Sequence, residues 1–147
     1  MKKSVVIIIA LIYIAAIALV SFFGLAYKTF EEIIYVSDIE LTSPGIKPAP
    51  ADVKILENGE KEYDYYIVIR PDENGDRKFQ IEYRIKPDNA TNKDILITAN
   101  EKDLSDSGVT IDEFNVVTFS KSGSITVQII PADKSLPNPI KLKIFSY

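Results

Sequence analysis

The sequence predicts an all-β sandwich carried behind a single membrane-spanning helix at its N-terminus. Three observations lead there. The run from Val5 to Tyr27 is Ile, Leu, Val, Ala and Phe almost throughout and carries no charge. At Val36 the hydrophobic pattern changes from helical to alternating, and it stays alternating to the end of the chain. The short apolar runs that follow are separated by clusters of Gly, Pro, Asn and Asp, the punctuation of antiparallel strands.

The apolar run comes first. As a helix it reaches roughly 34 Å, slightly more than the ~30 Å hydrocarbon layer of a bilayer. Lys2 and Lys3 precede it, while Lys28 is followed at once by Glu31 and Glu32. The positive-inside bias therefore predicts a cytoplasmic N-terminus and an extracytoplasmic remainder. Phe22, Phe23, Tyr27 and Phe30 suit an aromatic belt at the lipid interface. The alternative is a cleaved secretory signal cut after Ala26; length favours a retained anchor, because signal cores run about 7–15 apolar residues. Either way the remainder is exported, and with the anchor retained the bilayer is one partner. Phe30, Ile33 and Ile34 share one helical face opposite Glu31 and Glu32, which predicts a short helical neck. The expected organisation is thus residues 1–27 as cytoplasmic stub and anchor, 28–35 as neck, and 36–147 as one extracytoplasmic β domain.

Within that domain Val36 to Leu41 reads as the first strand. Pro44, Gly45, Pro48 and Pro50 then force a loop from Ser43 to Asp52. Val53 to Leu56 is expected as a short edge strand ending at the Asn58-Gly59 turn. Tyr63 to Arg70 and Lys78 to Lys86 read as a hairpin closed by Asp72 to Asp76, whose Asn74-Gly75 supplies tight-turn geometry. Further strands are expected at Ile95 to Ala99, Val109 to Ile111, Val116 to Phe119, Ser124 to Ile130 and Ile140 to Phe145. The last is expected at an edge, since Lys141 and Lys143 alternate with Leu142 and Ile144 in the manner that discourages aggregation.

Three stretches carry a family resemblance. Pro87-Asp88-Asn89-Ala90-Thr91-Asn92-Lys93 follows a Pro-x-Asn-Ala-Thr-Asn-Lys corner, Val109 to Thr118 follows an Ala-Thr-Val-Asp-Glu-Asn-Gly-Val-Val-Thr hairpin, and Ser122 to Val127 follows a Gly-led final strand. In this order they resemble the group 2 bacterial immunoglobulin-like domain, the module repeated in invasin- and intimin-type adhesins. The likeness runs from Tyr83 to Ile129. It implies an immunoglobulin-like sandwich on a bacterial surface and brings no catalytic residues. Asn115 stands where the family has Gly, and Asn is the next best residue at a left-handed turn position. Ile97 stands where the family usually has Trp, and Pro44 to Arg77 departs from the family pattern.

Composition narrows the chemistry. Cysteine and histidine are both absent, which removes Cys/His nucleophile pairs, Ser-His-acid triads and the common zinc ligand sets. Two of the 17 basic side chains, Lys2 and Lys3, precede the apolar run, leaving 15 against 21 acidic ones with no basic stripe. That balance disfavours nucleic acid as a partner. Asp72, Asn74 and Asp76 have the spacing that opens a calcium loop, but Arg77 and Tyr83 occupy the positions that need Gly and Glu. A turn explains them better than a metal site. Asp103, Asp106, Asp112 and Glu113 form a second acidic set of the kind common in solvated loops. No cofactor motif or catalytic pair appears, so the chain is expected not to be an enzyme.

The remaining candidates are Tyr63, Tyr65 and Tyr66. Alternation places Tyr65 and Tyr66 on opposite faces of one strand, so at least one ring stands outward. Outward tyrosines serve as binding anchors or as covers over cross-strand neighbours. The expected function is a non-enzymatic surface protein whose immunoglobulin-like domain acts as a spacer or binds an envelope protein or glycan, as in cell adhesion. The alternative is an accessory subunit packed through its anchor into a larger membrane or filament assembly.

Overall fold

The computed structural model describes residues 2–27 and 32–147, which divide into two compact units, Met1–Ile33 and Ile34–Tyr147. The first holds helix α1 (Lys3–Tyr27), of which Lys3–Gly24 is long and apolar enough to cross a membrane. Apolar side chains from Val5 to Phe23 are exposed around it. A helix apolar on every side has no stripe that selects one protein surface. Phe22 and Phe23 stand edge to face at 5.9 Å; the rest of the expected aromatic belt, Tyr27 and Phe30, lies outside the described side chains. Residues 28–31 of the expected neck also lie outside the description, and 32–35 are not helical. Ile34 is instead tied to the β unit: its N–H donates to Thr91 Oγ1 at 2.9 Å, and its carbonyl accepts from Thr91 N–H at 2.8 Å.

The second unit is mostly β. Its elements are β1 (Asp38–Leu41), β2 (Lys47–Pro48), β3 (Tyr65–Ile69), β4 (Arg77–Gln80), β5 (Tyr83–Lys86), β6 (Ile95–Ala99), α2 (Glu101–Ser107), β7 (Val109–Ile111), β8 (Val116–Phe119), β9 (Gly123–Pro131) and β10 (Ile140–Ser146). They form a five-stranded sheet of order β2-β3-β10-β9-β6, a three-stranded sheet β4-β8-β7, and the pair β1-β5. Every pairing is antiparallel except β3 with β10, which run parallel with Ile67 opposite Ile144. Strict alternation puts Ile125, Val127, Ile129, Leu142 and Ile144 on one face, where they are buried with Ile67 and Ile69. Phe79, Val117 and Phe119 of the three-stranded sheet and Ile39 of β1 join the same cluster, so all three sheets share one core.

Several expectations are corrected. The turn at Asp72 to Asp76 forms as the residues dictate, with Gly75 at φ 83° and Asp72 Oδ1 accepting from the N–H groups of Asn74 and Asp76. It does not close a hairpin. β3 and β4 belong to different sheets, β3 pairing with β2 and β10 and β4 pairing with β8. β10 is not an edge; it lies between β3 and β9, and its lysines are largely covered, with Lys141 and Lys143 side chains only 14% and 19% exposed. Val53 to Leu56 contributes a single bridge, Ile55 to Lys61, instead of a strand. The loop from Ser43 to Asp52 does contain β2, at a sheet edge where Pro48 is tolerated.

Helix α2 was not foreseen. It is short, and Leu104 is its one large apolar residue packed against the core, so it leaves little periodic signal. Glu101 and Asp103 in its first turn complement the helix dipole. Gly108 ends it at φ 61°, and a Cβ there would meet Ser120 Oγ at 2.2 Å. The left-handed conformation favours glycine, and any larger residue would also displace the Ser120 hydroxyl.

The expected single strand Lys78 to Lys86 is split between two sheets. β4 pairs with β8 and β5 pairs with β1, with only Ile81 and Glu82 between them. The exchange leaves backbone groups that neither ladder satisfies. Ile81 N–H donates to the carbonyl of Asn115, which is held left-handed at φ 61° as its sequence position suggested. The buried Ser43 hydroxyl accepts from Glu82 N–H at 2.6 Å and donates to the Gln80 carbonyl at 3.0 Å. Ser43→Ala removes both bonds and leaves the partly buried Glu82 N–H unpaired, an expected loss of about 1 kcal/mol. Thermal unfolding of the detergent-solubilised chain checks this: the midpoint should fall by roughly 4–8 °C for each kcal/mol, and Ser43→Thr should retain most of the stability.

Candidate functional site

The outer face of the five-stranded sheet is built by a match of spacing. Glu60 and Glu62 lie two positions apart on a loop, and Lys141 and Lys143 lie two positions apart on β10. The loop is shaped locally: Gly59 is at φ 81°, Leu56 N–H donates to Glu60 O, and Glu62 N–H donates to Lys54 O. It is then fastened to β10. Asp64 N–H donates to Lys141 O at 2.8 Å, and Lys141 N–H donates back to Asp64 Oδ2 at 2.9 Å. This register brings Lys141 Nζ onto Glu60 Oε2 at 2.5 Å and Lys143 Nζ onto Glu62 Oε1.

An aromatic cluster stands beside these pairs. Tyr63 and Tyr66 have centroids 6.3 Å apart, and each lies 6.5 Å from Phe145, all three contacts edge to face. The Lys143 ammonium sits 5.3 Å from the Tyr63 centroid and 5.6 Å from that of Phe145. Edge-to-face pairs contribute about 0.5–1.5 kcal/mol each beyond area burial, and a cation over a ring about 0.5–1 kcal/mol at exposed sites. The result is a rigid, half-exposed ring surface bordered by paired charges. Of the tyrosines singled out in the sequence, Tyr63 and Tyr66 come together here. Tyr65, 37% exposed, belongs to the opposite face of β3. Phe145 and Lys143 were missed; the shared two-residue spacing of the acids and lysines was the available signal.

The acidic candidates are used by the backbone. Asp76 Oδ2 pairs with Lys78 Nζ at 2.8 Å, and Asp72 closes its own turn. Asp112 repeats that device, its Oδ1 accepting from Phe114 and Val116 N–H at 2.9 Å each. Asp103 lies on α2, apart from this turn in the chain. Among the described residues no three His, Cys, Asp or Glu side chains converge closely enough to hold a metal ion. The chain matches no protein-family model, and no curated protein matches it in sequence.

Glu60 accepts a hydrogen bond from the Lys141 ammonium and feels its charge, which together lower the carboxyl pKa from the ordinary 4.5. A lowered folded pKa means that its stabilisation is present above the ordinary glutamate value and is lost as pH falls through the lower, folded one. In thermal melts across pH, Glu60→Gln should therefore be less stable than the parent at pH 7, and the two should converge once the pH has fallen below the lowered, folded pKa of Glu60. Lys143→Met, which strips the cation from two rings and leaves Glu62 unpaired, should cost about 1–2 kcal/mol at neutral pH.

Proposed function

We propose that the chain is a membrane-anchored bacterial envelope protein, held by α1, that presents a non-enzymatic immunoglobulin-like domain outside the cytoplasmic membrane. The observation that carries this reading is a helix apolar on all sides joined to a separate β unit with its own core. Lys2 and Lys3 before the apolar run favour a cytoplasmic N-terminus. For the immunoglobulin-like assignment, support comes from a β3-β10-β9-β6 run and a β4-β8-β7 sheet sharing one core. The three resembling stretches fall, in order, on the β5–β6 corner, the β7–β8 hairpin and the start of β9.

The binding face in this reading is the ring surface of Tyr63, Tyr66 and Phe145, and the partner is another envelope protein or a glycan. Preformed aromatic surfaces lose little entropy on binding and are frequent sites of concentrated binding energy.

The anchor is tested by fractionation. The full-length mass should remain in the membrane after alkaline carbonate washing, and protease added outside should remove the β unit. A soluble product whose mass begins after Ala26 would replace the anchor with a cleaved signal. For the binding face, Phe145→Ala or Tyr66→Ala should weaken attachment of the protein to isolated envelope material by about tenfold or more. Stoichiometric co-purification with a membrane assembly that ignores both substitutions would favour a structural subunit instead.

A further inference from the structure

The outer face of the five-stranded sheet continues past the ring surface, on the far side of β10. The register puts Tyr66 beside Lys143 and Lys143 beside Thr126, while Lys141 stands beside Gln128 and Gln128 beside Thr98. Alternation turns all of these side chains to one side, opposite the core row of Ile125, Val127 and Ile129. At the usual strand spacing, a strip of roughly 14 Å therefore runs from Tyr66 on β3, across β10 and β9, to Thr98 on β6.

Beyond the lysines the strip opens into a hollow of about 430 Å³ lined by Thr98, Ala99, Asn100, Asp103, Thr126 and Gln128. Its chemistry is hydrogen-bonding and mostly neutral. Thr98 and Gln128 are exposed, Thr126 is half-buried, and among the described residues no hydrogen bond engages these three side chains. A hydroxyl or a carboxamide both donates and accepts, and Asp103 adds an exposed acceptor. The charges nearest the rings are already matched, Lys141 on Glu60 and Lys143 on Glu62. A charged ligand therefore finds no unpaired ion on β10 to oppose its own.

On the reading that the ring surface holds the envelope partner, we propose that this partner is a neutral glycan, laid across β10 with one sugar on the rings and the next in the hollow. The C–H face of a pyranose covers the half-exposed rings of Tyr66 and Phe145 and removes apolar area from water. Its neighbour exchanges hydrogen bonds with Thr98, Thr126 and Gln128. A protein anchor suits the hollow poorly, because an apolar side chain would desolvate these polar groups and return no bonds to them. A ligand with a hydroxyl on nearly every carbon returns them. Exposed hydrogen bonds and one stacked ring place the affinity in the weak range, with a dissociation constant on the order of 0.1–1 mM.

The full chain, in a detergent without a sugar headgroup, is tested by saturation-transfer NMR against two neutral trisaccharides, cellotriose and triacetylchitotriose, and against the charged trigalacturonate. At least one neutral trisaccharide should bind in the expected range, and trigalacturonate at least about tenfold more weakly. Gln128→Leu, exposed and outside the rings, should weaken the neutral sugar about tenfold, as should Phe145→Ala. Gln128→Leu carries the test if Phe145→Ala fails to fold. Attachment of the protein to isolated envelope material should be lost when that material is oxidised with periodate and should survive its digestion with protease. Attachment that needs Phe145 but is lost to protease and kept after periodate would overturn the glycan and leave the ring surface as a protein-binding face. Attachment indifferent to Phe145→Ala would remove the binding face itself, and the glycan with it. Neutral trisaccharides that fail to bind up to about 10 mM, that bind no better than trigalacturonate, or that bind Gln128→Leu undiminished would also overturn the proposal.

Discussion

The pairing of β10 between β3 and β9 is the constraint on which the rest of the β unit depends. It joins residues 65–69 to residues 142–146 in parallel, across most of the length of the unit. Parallel neighbours cannot be joined by a tight turn, so the chain must cross over before it returns, and β4 to β9 are laid down on the way. β3 pairs along its whole length with β10 and at Tyr65 and Tyr66 with β2, while the segment that follows it pairs with β8 in another sheet. The turn at Asp72 to Asp76 is thereby converted from a hairpin tip into a corner between sheets. Arg77, just past that corner, returns to the end of β10, its Nε donating to the Tyr147 carbonyl at 3.2 Å.

A second consequence is electrostatic. A central strand with alternating lysines needs a cover for its outer face, and Glu60 and Glu62 provide it from a loop matched in period to the strand. Partly covered pairs of this kind contribute by avoiding unpaired charge more than by net attraction. The aromatic cluster extends the same cover, since Lys143 lies against Tyr63 and Phe145 while bonded to Glu62. The ring surface proposed for binding is thus also a structural cap. Its rigidity has a physical origin in the lysine row beneath it.

The passage from β4 to β5 shows how a small polar group permits a change of partner. A strand that leaves one ladder for another exposes its amides and carbonyls to an apolar interior, where each unpaired group is costly. Ser43 and the carbonyl of Asn115 absorb this at Gln80, Ile81 and Glu82. The edges follow a different logic. β1 carries Asp38 and Glu40, and β2 is two residues long and contains Pro48, so charge, length and proline guard these two edges.

Local chemistry settled much of this chain in advance. The uncharged run from Val5 to Tyr27 specifies a helix long and apolar enough to cross a membrane, the alternation of Ile125, Val127 and Ile129 specifies a half-buried strand, and Asp72, Gly75 and Asn115 specify turns through their local backbone. These signals are legible because each is satisfied within a few residues. The partner of each strand is not legible in that way. Lys141 and Lys143 look the same in sequence whether they guard an edge or wait for Glu60 and Glu62, and Tyr63 and Tyr66 do not announce Phe145. The assignment of strands to sheets, the helix α2 held by Leu104 and Gly108, and the gathering of the ring surface were decided only by tertiary structure. The reason is that these features rest on contacts between residues dozens of positions apart, where one buried face accepts several partners and only the closed core selects among them.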